Sequence, residues 1–128
     1  MHFVYRHMAF LGDESVWAAA ASECADEQGR FWDYHDLLFT YTAGRGRGVF
    51  TKPNLKLYAA QLGLDEGSFA SCVDSRRYED WVGAQTELGR QRGVSSTPTL
   101  FVNGRRVSPA PGWDDLRSLI LGARSTGS

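Results

Sequence analysis

The stretch Gly93–Gly104 constrains the fold of this chain more than any other part of the sequence. Residues Thr99–Val102 are rich in β-branched and aromatic side chains, which suits a buried strand. The Asn-Gly pair that ends the stretch is the strongest short hairpin signal, and Arg105–Val107 can form the returning strand. Pro98 cannot donate to a strand ladder, so we expect it at the very start of the first strand. The stretch therefore predicts a loop, a proline and a β-hairpin.

Length and charge narrow the classes of protein that this chain can represent. Its 128 residues suit one domain with enough length to bury a core. A net charge of −1 gives no general attraction to nucleic acid or to an anionic membrane. Nucleic acid is therefore not expected as a partner. No apolar run approaches the roughly 18 residues of a membrane span, so a membrane is not expected either. Residues 43–48 suggest an RNA-binding Arg-Gly segment, but one short copy favours a solvated loop.

Periodicity along the chain predicts a strand, several helices, a β-hairpin and a last helix. At the start of Phe3–Met8 apolar side chains alternate onto both faces, which favours a short strand in a covered sheet. Residues of about 13–92 follow helical spacing, with helix starts marked by Pro53 and Asp65. The last helix is expected over Trp113 to about Ala123. The predicted fold class is therefore α/β.

The pattern Gly93-Val94-x-x-Thr97-Pro98-Thr99-x-Phe101-Val102-Asn103-Gly104 resembles the cis-proline loop and hairpin of the thioredoxin fold. More narrowly, it resembles the DsbA-like thiol–disulfide oxidoreductases. Stretches within 15–39 and 58–75 are similar to the helices that this family inserts into the fold. The resemblance implies one domain with a helical insertion at about 13–92 and a thioredoxin-like remainder at 1–12 and 93–123. It also makes the Thr97–Pro98 bond a candidate cis peptide, although most such bonds are trans.

One family feature has no counterpart in these residues. Members open with a strand and then Cys-x-x-Cys at a helix start, where the helix terminus lowers the pKa of the first thiol. This sequence has no such motif and resembles a truncated member from the second strand onward, so we predict no catalytic residue. Without the first strand, Phe3–Met8 and the hairpin cannot pair in their family positions. Either the N-terminal strand moves inward, or a second chain fills the gap, or an exposed edge remains. Strand exchange between two copies is a low-cost way to fill it, which predicts a homodimer.

The two cysteines, Cys24 and Cys72, lie on predicted apolar helical faces. Three interpretations are open: a structural disulfide, two buried free thiols, or a working redox pair. Only Arg76 and Arg77 offer a nearby cation that could activate a sulfur. Similar cysteines in DsbA-like relatives form a second disulfide, and the resemblance implies the same structural pair here.

The N-terminus and the family resemblance predict different locations for this chain. The N-terminus lacks the pattern of a signal peptide, so the chain as given is expected in the cytoplasm. The family resemblance instead implies a periplasmic or secreted location, where disulfides persist. The histidines His2, His7 and His35 have no partners at metal-ligand spacing, so we predict no metal site and no cofactor.

The resemblance implies an activity on protein thiols or disulfides. In the family, the backbone before the cis-proline pairs with an extended substrate segment. Here Ser96, Thr97 and Pro98 would bind a protein or peptide substrate, and without Cys-x-x-Cys the chain alone is expected to be inactive. The alternative is a non-catalytic peptide-binding or assembly module on the same scaffold. A kappa-type glutathione transferase is a third possibility, but that class also uses a residue of the absent helix.

Overall fold

The computed structural model describes residues 1–41, 48–107 and 111–126, with backbone alone for 123–126. Most of the Arg-Gly segment therefore lies outside the described residues. The described elements, in chain order, are α1 (Asp13–Asp26), α2 (Phe31–Thr40), α3 (Lys52–Gln61), α4 (Glu66–Asp74), α5 (Glu79–Gln91), β1 (Leu100–Val102), β2 (Arg105–Val107) and α6 (Trp113–Thr126). They divide into two compact units, Arg6–Leu88 and Met1–Tyr5 with Gly89–Ser128. No helix in the described part of the chain is long and apolar enough to cross a membrane.

The core of the helical unit, Arg6–Leu88, is formed where α1, α2, α3 and α4 pack together. Leu55 and Tyr34 are fully buried at its centre, and the Tyr34 ring lies 5.4 Å from that of Phe69. The buried Tyr34 hydroxyl donates a hydrogen bond of 2.9 Å to the Leu55 carbonyl oxygen. Burial raises the pKa of Tyr34, which therefore remains a neutral donor. This bond ties α2 to α3 inside an otherwise apolar core.

The predicted helix boundaries around α3 and α4 are confirmed. Pro53 lies in the first turn of α3, where its missing N–H has no intrahelical partner to lose. Gly63 ends α3 with a φ of +73°, and the next residue, Leu64, donates its N–H to the Ala59 carbonyl. Asp65 caps α4 because its Oδ1 accepts the Ser68 N–H at 2.8 Å, and the same bond lowers the pKa of Asp65.

The predicted strand over Phe3–Met8 is wrong, since these residues form no strand in the structure. The backbone N–H of His7 donates to Gln85 Oε1 at 2.8 Å, and that of Ala9 donates to Thr86 Oγ1 at 3.0 Å. Both acceptors are side-chain atoms of α5. Because a strand needs a neighbouring backbone to form its ladder, these side-chain contacts replace the predicted pairing.

The predicted hairpin is confirmed. β1 and β2 are antiparallel, with Leu100 opposite Val107, Phe101 opposite Arg106 and Val102 opposite Arg105. The turn residues Asn103 and Gly104 have φ values of +50° and +77°, the two positive angles that a tight two-residue hairpin turn requires. Within the described ranges β1 pairs with β2 alone, so the other edge of β1 is open in the sense that no strand pairs with it.

Candidate functional site

The loop between α5 and β1 is held at its start by two contacts within the same unit. Gly93 has a φ of +79°, and the Val94 N–H donates to the Gly89 carbonyl at 2.9 Å, which closes the end of α5. The Arg106 guanidinium donates from Nη1 to the Gly93 carbonyl oxygen at 2.8 Å. The helix end and the second strand of the hairpin therefore both fix where the loop begins.

The predicted substrate-binding residues lie together on this loop. Ser96, Thr97 and Pro98 are all exposed, and the Thr97–Pro98 peptide bond is cis. The Thr99 hydroxyl donates to the Ser96 carbonyl oxygen, which braces the loop from the strand side. Among the hydrogen bonds of the described residues, none uses the backbone N–H or carbonyl of Thr97. An incoming backbone can therefore find both a donor and an acceptor at Thr97, just before the open edge of β1.

The structure joins Cys24 and Cys72 in a disulfide bond between α1 and α4. Each cysteine is only 1% exposed, and both belong to the apolar core of the helical unit. Attack on a disulfide requires access to a sulfur atom. Buried in this way, the sulfurs are shielded from a protein thiol.

The two arginines next to Cys72 in sequence contact carboxylates at the surface. Arg77 Nη1 lies 2.7 Å from Glu27 Oε1, and Arg76 Nε lies 2.7 Å from Glu79 Oε2. The Tyr78 hydroxyl also donates to Glu27, and its hydrogen bond together with Arg77 lowers the pKa of that carboxyl. Hydrogen bonding to Glu27 raises the pKa of Tyr78 to about 12. These contacts account for the arginines as partners of acidic residues, without any role in activating a thiol.

Arg106 was not predicted as a residue of this site. It was assigned only to the returning strand, and the Asn-Gly turn signal was enough to place it opposite Phe101. Directly opposite residues of an antiparallel pair share a face of the sheet. The bond from its guanidinium to Gly93 depends on a long side chain extending to the loop, which hairpin signals do not predict.

Comparison with known proteins identifies the family. The family model described as Thioredoxin matches residues 1–121, and the chain therefore belongs to the thioredoxin family. Disulfide bond formation protein D of Bacillus subtilis (strain 168) is 25% identical over an alignment of 130 positions, gaps included, that covers 92% of this chain and 54% of that protein. This relative supports the DsbA-like assignment made from the loop and the inserted helices.

Several relatives are much longer proteins. Na(+)/H(+) antiporter NhaA 3 of Salinispora tropica is 34% identical over 108 residues, covering 83% of this chain and 16% of the antiporter. Na(+)/H(+) antiporter NhaA 1 of Salinispora arenicola is 36% identical over 109 residues, again covering 83% and 16%. The chain thus matches about one sixth of the length of these antiporters.

Proposed function

We propose that this domain binds an extended segment of a protein that carries thiols or disulfides, through the backbone of Thr97. The observation that carries the proposal is the exposed residue Thr97, whose backbone N–H and carbonyl make no hydrogen bond among the described residues. Thr97 precedes β1, whose second edge has no partner strand in the ranges that the structure describes. An extended peptide adds to such an edge by main-chain hydrogen bonds, and this mode of binding tolerates many side chains. Family membership and the Bacillus subtilis relative support a protein substrate in disulfide chemistry.

We expect these residues to bind the substrate without turning it over. Both cysteines of these residues are joined in a buried disulfide, and the sequence contains no Cys-x-x-Cys. Only an accessible thiolate attacks a disulfide, so these 128 residues supply recognition and no nucleophile. Turnover would require a dithiol brought by another segment or by another protein.

Replacing Thr97 by proline tests the proposal, because proline removes the N–H that would pair with the substrate backbone. The probe is a short, fluorescently labelled, charge-neutral peptide rich in valine and threonine, with glutamine on both sides of a central S-methylated cysteine. We expect Thr97→Pro to weaken its binding, measured by fluorescence anisotropy, by roughly tenfold. A lost hydrogen bond that leaves an unpaired partner is worth about 1–3 kcal/mol, which sets this scale.

The matched control is Thr97→Ala, which keeps the backbone donor and removes only the side chain. Its affinity should stay within about threefold of the parent value, because strand addition uses main-chain groups. Thermal melting of both variants shows whether the fold is kept. If Thr97→Pro folds and binds the peptide as tightly as Thr97→Ala, the proposed function is wrong.

An assembly module within a larger protein is the second candidate. The antiporter relatives favour it, since in each of them the matching segment is a small part of a much longer chain. Such a module would bind a fixed partner surface, and its binding would not depend on the Thr97 N–H. The comparison of Thr97→Pro with Thr97→Ala therefore also separates these two candidates.

We also propose that two copies associate through the exposed apolar residues of the N-terminal segment. Phe3 and Val4, which belong to the same compact unit as β1, are 64% and 50% exposed, and exposed apolar side chains favour association. Light scattering at micromolar concentration should give twice the 14.2 kDa mass of the chain. A particle of 14.2 kDa alone would exclude the dimer.

A further inference from the structure

We propose that the segment bound along Ser96–Pro98 is acidic. This inference rests on the proposed function and names the class of its substrate. Residues 89–107, which include the loop and both strands of the hairpin, contain four arginines and no carboxylate. A peptide aligned with this loop would therefore meet positive charge and no acidic side chain from this part of the chain.

The charge of the chain is divided unevenly between its two units. Met1–Tyr5 with Gly89–Ser128 contains six arginines and two acidic residues, whereas Arg6–Leu88 contains eight basic and thirteen acidic residues. The two acidic residues of the first group, Asp114 and Asp115, lie in the first turn of α6. The overall charge of −1 is therefore the sum of an acidic unit and a basic unit, and the loop belongs to the basic one.

Arg106 brings one of these charges to the loop itself. Its Nη1 donates to the carbonyl of Gly93, the residue that opens the loop, and its side chain remains exposed. A guanidinium has five N–H donors, and this contact uses one of them. Because the bond already restricts the side chain, little further entropy is lost when a carboxylate binds to it.

Arg92 and Arg105 add two further positive charges to the surface of this unit. Arg92 immediately precedes Gly93 and is exposed at the end of α5. Arg105 is exposed on β2, directly opposite Val102. Guanidinium groups bind carboxylates with paired hydrogen bonds, so an acidic segment complements this surface better than a neutral or basic one.

The test compares two labelled peptides that differ only in charge. One is the neutral peptide used above, with glutamine on both sides of the methylated cysteine, and the other has glutamate at the same positions. We expect the acidic peptide to bind the parent protein roughly threefold to tenfold more tightly at low salt, as exposed ion pairs allow. The difference should disappear toward 1 M salt, where the Debye length is roughly 3 Å.

Variants identify which charges are responsible. Arg105→Gln/Arg106→Gln should remove the preference for the acidic peptide. Because Arg106 also fixes the start of the loop, the readout is the ratio of the affinities for the two peptides in the same variant. Arg105→Gln alone keeps the contact between Arg106 and Gly93 and therefore the loop geometry. It should remove about half of the preference for the acidic peptide. Lys56→Gln removes the same charge from α3, where Lys56 pairs with Asp74, and should leave the preference as it is.

The outcomes distinguish this inference from the proposed function. Equal affinity of the parent protein for both peptides, or a preference that persists at high salt, would overturn the acidic preference while the binding site stands. A preference for the acidic peptide that is retained in the double variant would also overturn the acidic preference and leave the binding site in place. Failure of both peptides to bind would overturn the proposed function, and this inference with it.

Discussion

Replacing Cys24 and Cys72 together by alanine is expected to lower the free energy of unfolding by roughly 4 kcal/mol. The disulfide links positions 48 residues apart, and in the chain-entropy model a cross-link of this length restricts the unfolded chain by about that amount. It also joins α1 to α4 inside the core of the helical unit. The measurement is the free energy of unfolding from urea denaturation, compared between the oxidised parent protein and the double variant.

A reducing agent provides the control for this prediction. Reduction should destabilise the parent protein by a similar amount, without the change of volume that accompanies the alanines. The double variant should show the same denaturation midpoint with and without reductant, because it has no disulfide to reduce. If alkylation shows that the parent is fully reduced and its midpoint has not moved, the stabilising role of the disulfide is contradicted.

Replacing Leu55 by alanine is expected to lower the free energy of unfolding by roughly 3 kcal/mol. Leu55 is fully buried in the centre of the helical unit, where its removal leaves a cavity that the surrounding side chains fill only in part. Its carbonyl still accepts the hydrogen bond from Tyr34, since the substitution leaves the backbone in place. Urea denaturation of the oxidised variant gives the measured value.

Leu57 offers a matched control on the same helix. It is 61% exposed, two residues further along α3, so Leu57→Ala makes the same chemical change without opening a cavity. We expect its effect to stay within about 0.5 kcal/mol. Equal destabilisation by the two substitutions would mean that the core does not lie where the structure places it.

Local signals in the sequence were sufficient where the structure depends on short-range chemistry. The Asn-Gly pair gave the hairpin, because few residues tolerate the two positive φ angles of its turn. Asp65 gave the start of α4, because its side chain caps a helix that begins at the next residue. The loop around Pro98 could also be recognised from a local pattern, because its residues are contiguous in the sequence.

Contacts between distant parts of the chain were not predictable from the same signals. Phe3–Met8 has the composition of a strand, but strand formation depends on a partner, and here His7 bonds to the side chain of Gln85 instead. Strand preference is largely a preference for a suitable neighbour, which a local pattern does not contain. The contact of Arg106 with Gly93 likewise spans 13 residues and depends on a single rotamer of a long side chain.

The exchange rate of the Thr97 amide hydrogen, measured by NMR with and without bound peptide, shows whether the Thr97 backbone pairs with the peptide. Strand addition through Thr97 predicts that its exchange slows by at least about tenfold when the acidic peptide is bound, because its N–H becomes hydrogen-bonded. The amide of Leu57, inside α3, serves as the reference and should not change. Saturating peptide that leaves the Thr97 amide exchanging at its free rate would contradict the proposed site.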